Sequence, residues 1–349
     1  MKGNDAAAEA AVRAGCRFFA GYPITPQSEI LEYLSWRLPE VGGTFLQCES
    51  ELAGISMVYG AAATGARALT SSSGPGFSLM QEGISYIASA ELPCVVIDVQ
   101  RYGSGLGDIF TGQSDYWQAT KNGGHGDYRC MVLAPNSVQE IADFVALAFD
   151  KAEEYRNPVL ILSDASISQM MESVSLPELK EHDMDQHEWA MKGKGKEHNK
   201  RHTSVMYYKP DYDVYLKAKY DKMIAQEQRW EEFQTEDAQF ILVAYGISSR
   251  ICEEVVEMAR TEGLKIGLIR PITLFPFPKK AFEKLDLNRL IGFASVEISC
   301  LSQMIEDVVI CANGKIPVYP IRGGTKVYES GEILQEVKEI LAGNRQEAY

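Results

Sequence analysis

The alternation of apolar and polar positions divides the chain into two rhythmic stretches separated by one without rhythm. In the first, short apolar runs alternate with segments whose apolar residues recur at helical spacing. Ala6 to Ala14 are almost all helix formers, with Asn4 or Asp5 as a cap and Gly15 as a stop. Phe18-Phe19-Ala20 predicts a buried strand running into Gly21-Tyr22-Pro23-Ile24-Thr25-Pro26, where Thr25 is placed to cap a helix and Pro26 to be its first residue. Ile30, Leu31, Leu34 and Leu38 form the buried side of that helix. Thr44 to Cys48 predicts the next strand, and a helix with small residues at Ala53, Gly54, Ser56 and Gly60 follows it.

Arg67 to Ser71 predicts a third strand, a Ser/Gly loop to Gly76 and a helix over 77–88. Cys94 to Val99 predicts a fourth strand, and Pro158 to Leu162 a fifth. Between them Ser137 and Glu140 form a capping box for a helix that runs to Tyr155. Strands and helices alternating at this spacing define an α/β fold with a doubly wound, mostly parallel sheet. The rhythm stops over 172–236, which carries runs of lysine and His182, His187, His198 and His202, four of the five histidines. This stretch reads as a charged, solvated insertion with one helical pattern over 212–233. Strands at Phe240 to Tyr245, Lys265 to Arg270, Leu290 to Val296 and Ile316 to Ile321 then predict a smaller α/β domain. The expected divisions are 1–171, 172–236 and 237–349.

Composition narrows the function. The 349 residues include 34 Lys and Arg against 48 Asp and Glu, a formal charge of -14. Phosphate backbones are bound by basic faces, so nucleic acid is excluded as a main partner. No apolar run reaches membrane-span length and no leader pattern opens the chain, so a cytoplasmic protein is expected. Cys16, Cys48, Cys94, Cys130, Cys252, Cys300 and Cys311 include no Cys-x-x-Cys pair, which disfavours a zinc or iron–sulfur site on this chain and suits reduced thiols.

Candidate chemistry lies at strand ends, where ligands bind in open α/β sheets. Glu49 and Glu51 follow the second strand, Thr25 the first, Gln100 and Arg101 the fourth. A hydroxyl, a carboxylate and a guanidinium in one crevice suit capture of an anion. Each has a plainer reading: a capped helix, a first-turn glutamate favouring the helix dipole, or an ion pair of Arg101 with Glu51 or Asp98. The Ser71–Gly76 loop lacks the Lys-Ser/Thr ending of a P-loop, and no helix pattern opens on Gly103-Ser-Gly-Leu-Gly107, so neither is a nucleotide fingerprint.

Lys2-Gly-Asn-Asp5, Gly21-Tyr-Pro-Ile-Thr-Pro26, Glu49-Ser-Glu-Leu-Ala-Gly54, Val99-Gln-Arg101 and Ala134-Pro-Asn-Ser-Val-Gln-Glu140 resemble the alpha subunits of 2-oxoacid:ferredoxin oxidoreductases, which depend on thiamine diphosphate. The Gly103–Gly107 run is more similar to the branched-chain (2-oxoisovalerate) type than to the 2-oxoglutarate type. The resemblance implies a pyrimidine-binding domain and a transketolase C-terminal-like domain. It implies that Glu51 hydrogen-bonds the aminopyrimidine ring, that Thr25 lies beside the substrate carboxylate, that Arg101 holds the substrate, and that Tyr22 and Pro23 shape the pocket. Gly107-Asp108-Ile109 and Gly126-Asp127-Tyr128 both lack the third glycine of the family's diphosphate motif. The diphosphate and Mg²⁺ are therefore expected on a beta subunit, and iron–sulfur clusters on ferredoxin-like and gamma subunits. No metal is expected on this chain. Ser302-Gln303 stands where the family often has Gly-Gln, so no role is assigned to Gln303. The implied reaction converts a 2-oxoacid and coenzyme A to acyl-CoA and CO₂ with reduction of ferredoxin. The rivals are a 2-oxoglutarate enzyme and a non-catalytic scaffold.

Overall fold

The computed structural model describes residues 1–184, 187–192, 210–324 and 326–347. The first half begins with α1 (Gly3–Arg13), β1 (Phe18–Gly21), α2 (Ser28–Glu40), β2 (Thr44–Gln47), α3 (Glu51–Ala63), β3 (Ala68–Ser72), α4 (Pro75–Ser89) and β4 (Cys94–Gln100). A long loop containing α5 (Tyr116–Thr120) leads to β5 (Met131–Leu133), α6 (Val138–Tyr155), β6 (Pro158–Asp164) and α7 (Ala165–Gln169). After the insertion come α8 (Tyr212–Gln226), β7 (Trp230–Phe233), β8 (Phe240–Ala244), α9 (Gly246–Thr261), β9 (Ile266–Pro271) and β10 (Thr273–Phe275). The chain then runs through α10 (Lys279–Glu283), β11 (Gly292–Glu297), α11 (Ile305–Ala312), β12 (Val318–Arg322) and α12 (Ser330–Leu341).

The first sheet has seven strands in the order β10-β5-β6-β4-β3-β1-β2. All pairs are parallel except β10 on β5. Its central strands β4 and β6 are buried at every position, as a strand covered on both faces requires. On one face α1, α2 and α6 close a core around Val12, Leu34, Val145 and Ile161. On the other, α3 and α4 contribute Ile55, Val58, Phe77 and Ile84 to a core that continues into Ile241, Val243, Ile269 and Phe293 of the second sheet. That sheet has the order β12-β11-β8-β9-β7, with β7 antiparallel on β9, and its far face is covered by α9 and α12.

Four local expectations are corrected. Helix α2 begins at Ser28 with Gln27 as N-cap, not at Pro26 with Thr25 as cap. Asn4 does not cap α1 but lies buried inside it, donating to the Pro26 carbonyl at 2.8 Å and to Glu29 at 2.8 Å. The helical pattern over 212–233 stops at Gln226, because Trp230–Phe233 is taken up as an edge strand by β9. Finally, Met131–Leu133 and Thr273–Phe275 are strands too short to carry a readable period. The second crosses from the C-terminal part of the chain to complete the first sheet.

The start of the insertion is tied to the fold. Lys180 N–H donates to the Arg13 carbonyl at 2.7 Å, and Met191 N–H to the Ala63 carbonyl at 2.8 Å. His182 and His187 approach one Glu153 oxygen at 3.7 and 3.5 Å, but the Arg67 guanidinium already holds both oxygens of that carboxylate at 2.9 and 2.6 Å. The trio therefore braces the insertion against α6. Gly193 to Lys196, His198 and His202 lie outside the described residues. Among the described residues no helix is long and apolar enough to cross a membrane. The seven cysteines are free thiols, with Cys300 the exposed one.

Candidate active site

The carboxyl ends of β1, β3 and β4 meet the first turns of α3 and α4 in one crevice. Glu51 is the first residue of α3, placed there because Ser50 caps the helix by accepting from Ala53 N–H at 3.3 Å. Only 5% of Glu51 is exposed, yet its carboxylate makes no hydrogen bond among the described residues. It lies against the start of α4. A Cβ on Gly76 would stand 2.2 Å from Glu51 Oε1 and 2.2 Å from Ser72 Oγ, so only glycine lets α4 begin this close to the acid.

Arg101 lies on the other side of the Ser73–Gly76 turn, its side chain packed over Gly74. It is 9% exposed. Nη1 donates to the Thr25 carbonyl at 3.0 Å and Nη2 to the Leu106 carbonyl, so one guanidinium stitches the Tyr22–Pro26 turn to the Gly103–Gly107 loop. Its Nε is buried without a partner. The plainer readings of Arg101 are not met: it forms no ion pair with Glu51 or Asp98. Thr25 meets Arg101 through its backbone carbonyl, and its side chain is exposed rather than capping. Tyr22 and Pro23 are exposed at the rim. Gln27 fixes that turn by donating to the Tyr22 carbonyl at 3.1 Å while accepting from Ser71 Oγ at 2.6 Å.

The crevice also holds residues that strand-end reasoning did not single out. Ser72 Oγ, Ser73 Oγ, both oxygens of Asp98, Gln100 Nε2, Asp115 Oδ2 and Arg101 Nε are buried without hydrogen-bond partners among the described residues. Buried polar groups are nearly always paired, so a concentration of unpaired ones marks a place where something else binds or a proton is shared. Burial, and then the facing Asp115, push the Asp98 carboxyl well above its ordinary range; burial also raises Asp115. Asp98 sits inside an apolar strand and Asp115 in a loop. Nothing in their spacing links them.

The second sheet braces this crevice. Gln113 N–H donates to the Ile298 carbonyl at 2.8 Å, Gln113 Nε2 to the Tyr245 carbonyl at 2.9 Å, and Gln113 Oε1 accepts from Ser248 Oγ at 2.7 Å. Gln303 accepts from Trp117 N–H at 2.9 Å and donates to the Ser114 carbonyl at 2.8 Å, which gives it a holding role in the loop. Asp164, at the end of β6, accepts from Ile167 N–H at 3.0 Å and Ile247 N–H at 2.8 Å. A Cβ on Gly246 would stand 2.5 Å from that carboxylate, so the bridge between the two sheets also needs a glycine.

The chain thus presents a largely buried carboxylate, without a hydrogen bond among the described residues, at the carboxyl edge of a mostly parallel sheet backed by a second α/β sheet. The chain belongs to the pyruvate flavodoxin/ferredoxin oxidoreductase family: its thiamine-diphosphate-binding model matches residues 9–237, and the pyruvate:ferredoxin oxidoreductase core domain II model matches residues 238–329.

Within that family it is 47% identical to the ketoisovalerate oxidoreductase subunit VorB of Methanothermobacter marburgensis over 97% of either chain. It is 36% identical to the 2-oxoglutarate synthase subunit KorA of Methanocaldococcus jannaschii, over 89% of this chain and 93% of the relative. Among solved structures it matches the 2-oxoglutarate:ferredoxin oxidoreductase from Magnetococcus marinus with a TM-score of 0.84 at 26% identity, covering 97% of this chain and 64% of that longer one. A split-gene transketolase, at 14% identity and a TM-score of 0.63, shares the fold. The relatives it matches are thus subunits of a ketoisovalerate oxidoreductase and of a 2-oxoglutarate synthase.

Proposed function

We propose that this chain is the alpha subunit of a heteromeric enzyme that oxidatively decarboxylates a branched-chain 2-oxoacid, with coenzyme A as acyl acceptor and ferredoxin as electron acceptor. The observation that carries this reading is the Glu51 carboxylate, 5% exposed and without a hydrogen bond among the described residues. Such a group is costly unless a donor arrives from outside.

The residues fit the pyrimidine half of thiamine diphosphate. Glu51 would hydrogen-bond the ring nitrogen, Gly76 leaves room for that contact, and Tyr22 and Pro23 would line the pocket. When bound, the cofactor supplies an electron sink for decarboxylation. Arg101 would receive the 2-oxoacid carboxylate through the edge that carries Nε, with Thr25 beside it. Exposed Leu106, Ile109 and Phe110 on the adjacent loop would suit an aliphatic substrate side chain. The diphosphate and Mg²⁺ would be held by a beta subunit across the crevice, and the electrons would leave through iron–sulfur partner subunits.

The test uses the assembled complex. Glu51→Gln is expected to cut turnover roughly 10²–10³-fold while the complex still assembles; near-normal turnover would favour a scaffold role. The chain by itself is expected to bind thiamine diphosphate weakly, and tight Mg²⁺-dependent binding to it alone would refute the shared site. Turnover of 2-oxoisovalerate is expected to exceed that of 2-oxoglutarate, and the reverse order would replace the substrate assignment.

A further inference from the structure

We propose that Asp98 and Asp115 share one proton and act as positioning residues, holding the Arg101 guanidinium charged, unpaired and free to take a substrate carboxylate. The inference rests on the reading that Arg101 receives that carboxylate, and it goes beyond it.

The argument starts from a hydrogen-bond accounting. Asp98, at the end of β4, is fully buried, and neither of its oxygens accepts from any N–H or O–H of the described residues. Asp115, 7% exposed, accepts from Gln118 Nε2 at 2.5 Å through Oδ1, while its Oδ2 is likewise without a donor. The two carboxyls face each other, with the Gly74 amide beside both. Two carboxylates facing each other away from water cannot both be ionised at neutral pH; one proton between them gives Asp115 Oδ2 and one of the Asp98 oxygens a partner.

That proton sets the charge of the crevice. Arg101, the residue after β4, is the charged group that faces the pair from that side. From the α4 side come uncharged groups, the Gly74 amide and Ser78, which donates to Gln118 Oε1 at 2.8 Å. From the second sheet comes the Tyr245 hydroxyl, 3.4 Å from Gln100 Oε1, with Glu297 near that tyrosine. With one shared proton the pair carries a single negative charge that balances Arg101. Loss of that proton would add a second negative charge, drawing the guanidinium into an ion pair and repelling the substrate.

The experiment measures the Michaelis constant for 2-oxoisovalerate against pH in the assembled complex, with Asp98→Asn and Asp115→Asn beside the wild type. In the wild type KM is expected to rise roughly tenfold or more once the shared proton is lost, the effect of one added charge at short range. In Asp98→Asn, whose amide keeps a donor to Asp115 but cannot ionise, that rise is expected to flatten to within about twofold. A second readout is infrared difference spectroscopy of the wild-type complex in H₂O and D₂O. A protonated-carboxyl band is expected, and its loss in both variants. Absence of the band, or an unchanged pH dependence in Asp98→Asn, would overturn the proposal. If Asp98→Asn does not fold, Asp115→Asn and the wild-type spectrum decide in the same terms. Failure of the underlying reading is distinguishable: Arg101→Lys would then leave KM unchanged.

Discussion

Two buried glutamates, one in each half of the molecule, follow or close a strand and are treated oppositely. Glu51 opens α3 just after β2; Glu297 closes β11 just before the loop to α11. Both are buried. Glu297 accepts from Ser295 Oγ at 2.7 Å and from Met304 N–H at 2.9 Å, so its charge is met from inside the chain. Glu51 has no such partner among the described residues. The same residue type after a strand is a brace in one sheet and carries no hydrogen bond in the other. The difference lies wholly in whether the fold supplies donors.

The strongest way to break this comparison is to exchange the consequences. Glu51→Gln is expected to cost roughly 10²–10³-fold in turnover of the complex, the usual size of a lost charge-stabilising contact. The thermal melt should barely move, since no hydrogen bond of the fold is lost. Glu297→Ala is expected to do the reverse: a loss of about 2–4 kcal/mol in urea unfolding, from the orphaned Met304 N–H and Ser295 hydroxyl and the cavity left behind. Activity per folded complex should be retained. A large activity loss without destabilisation in Glu297→Ala would undo the contrast.

Arg101→Lys sharpens the picture at smaller amplitude. A single ammonium cannot hold the Thr25 and Leu106 carbonyls and a substrate carboxylate in the fork that a guanidinium provides. A rise in KM of roughly tenfold with a smaller change in kcat is expected from steady-state kinetics.

The smallest effect is on stability against pH. Burial raises Glu297 to about 7 and Asp164 to about 6, in each case against the pull of backbone N–H donors. Raised carboxyls make the folded chain bind more protons than the unfolded one, so stability falls as pH climbs through those values. Glu9, Glu29 and Glu154 are shifted downward, and the stability they add is lost only as pH falls below the ordinary carboxylate range. Melting temperature is therefore expected to be a few degrees higher near pH 5.5 than near pH 8. Glu297→Ala should shrink that difference.

Much of this was legible before any coordinates. The strands with long apolar runs, β4, β6 and β8, were readable because a strand buried on both faces must be apolar throughout. The Ser137 cap declared the start of α6, since Glu140 N–H donates to Ser137 Oγ at 3.2 Å; the reciprocal half of the expected capping box does not form, because the Glu140 carboxylate accepts from Asn136 N–H at 2.9 Å. That Glu51, Thr25 and Arg101 stand at strand ends was readable from the alternation of strands and helices, and strand ends are where open α/β sheets bind ligands. The resemblance to the oxidoreductase alpha subunits rested on those same short runs.

Tertiary structure decided the rest, wherever an outcome depended on groups distant in the chain. β7 and β10 are strands only because β9 and β5 offer them an edge. Asp98 and Asp115 form a pair only because a loop held by Gln113 and Gln303 returns over the end of β4. Local pattern states which residues are apolar enough to be buried and which are able to cap, since those properties belong to neighbours along the chain. Whether a buried carboxylate finds a donor, a second acid or nothing at all is settled by long-range packing. That is why a bonded carboxylate at position 297 and an unbonded one at position 51 could not be told apart until the chain was folded.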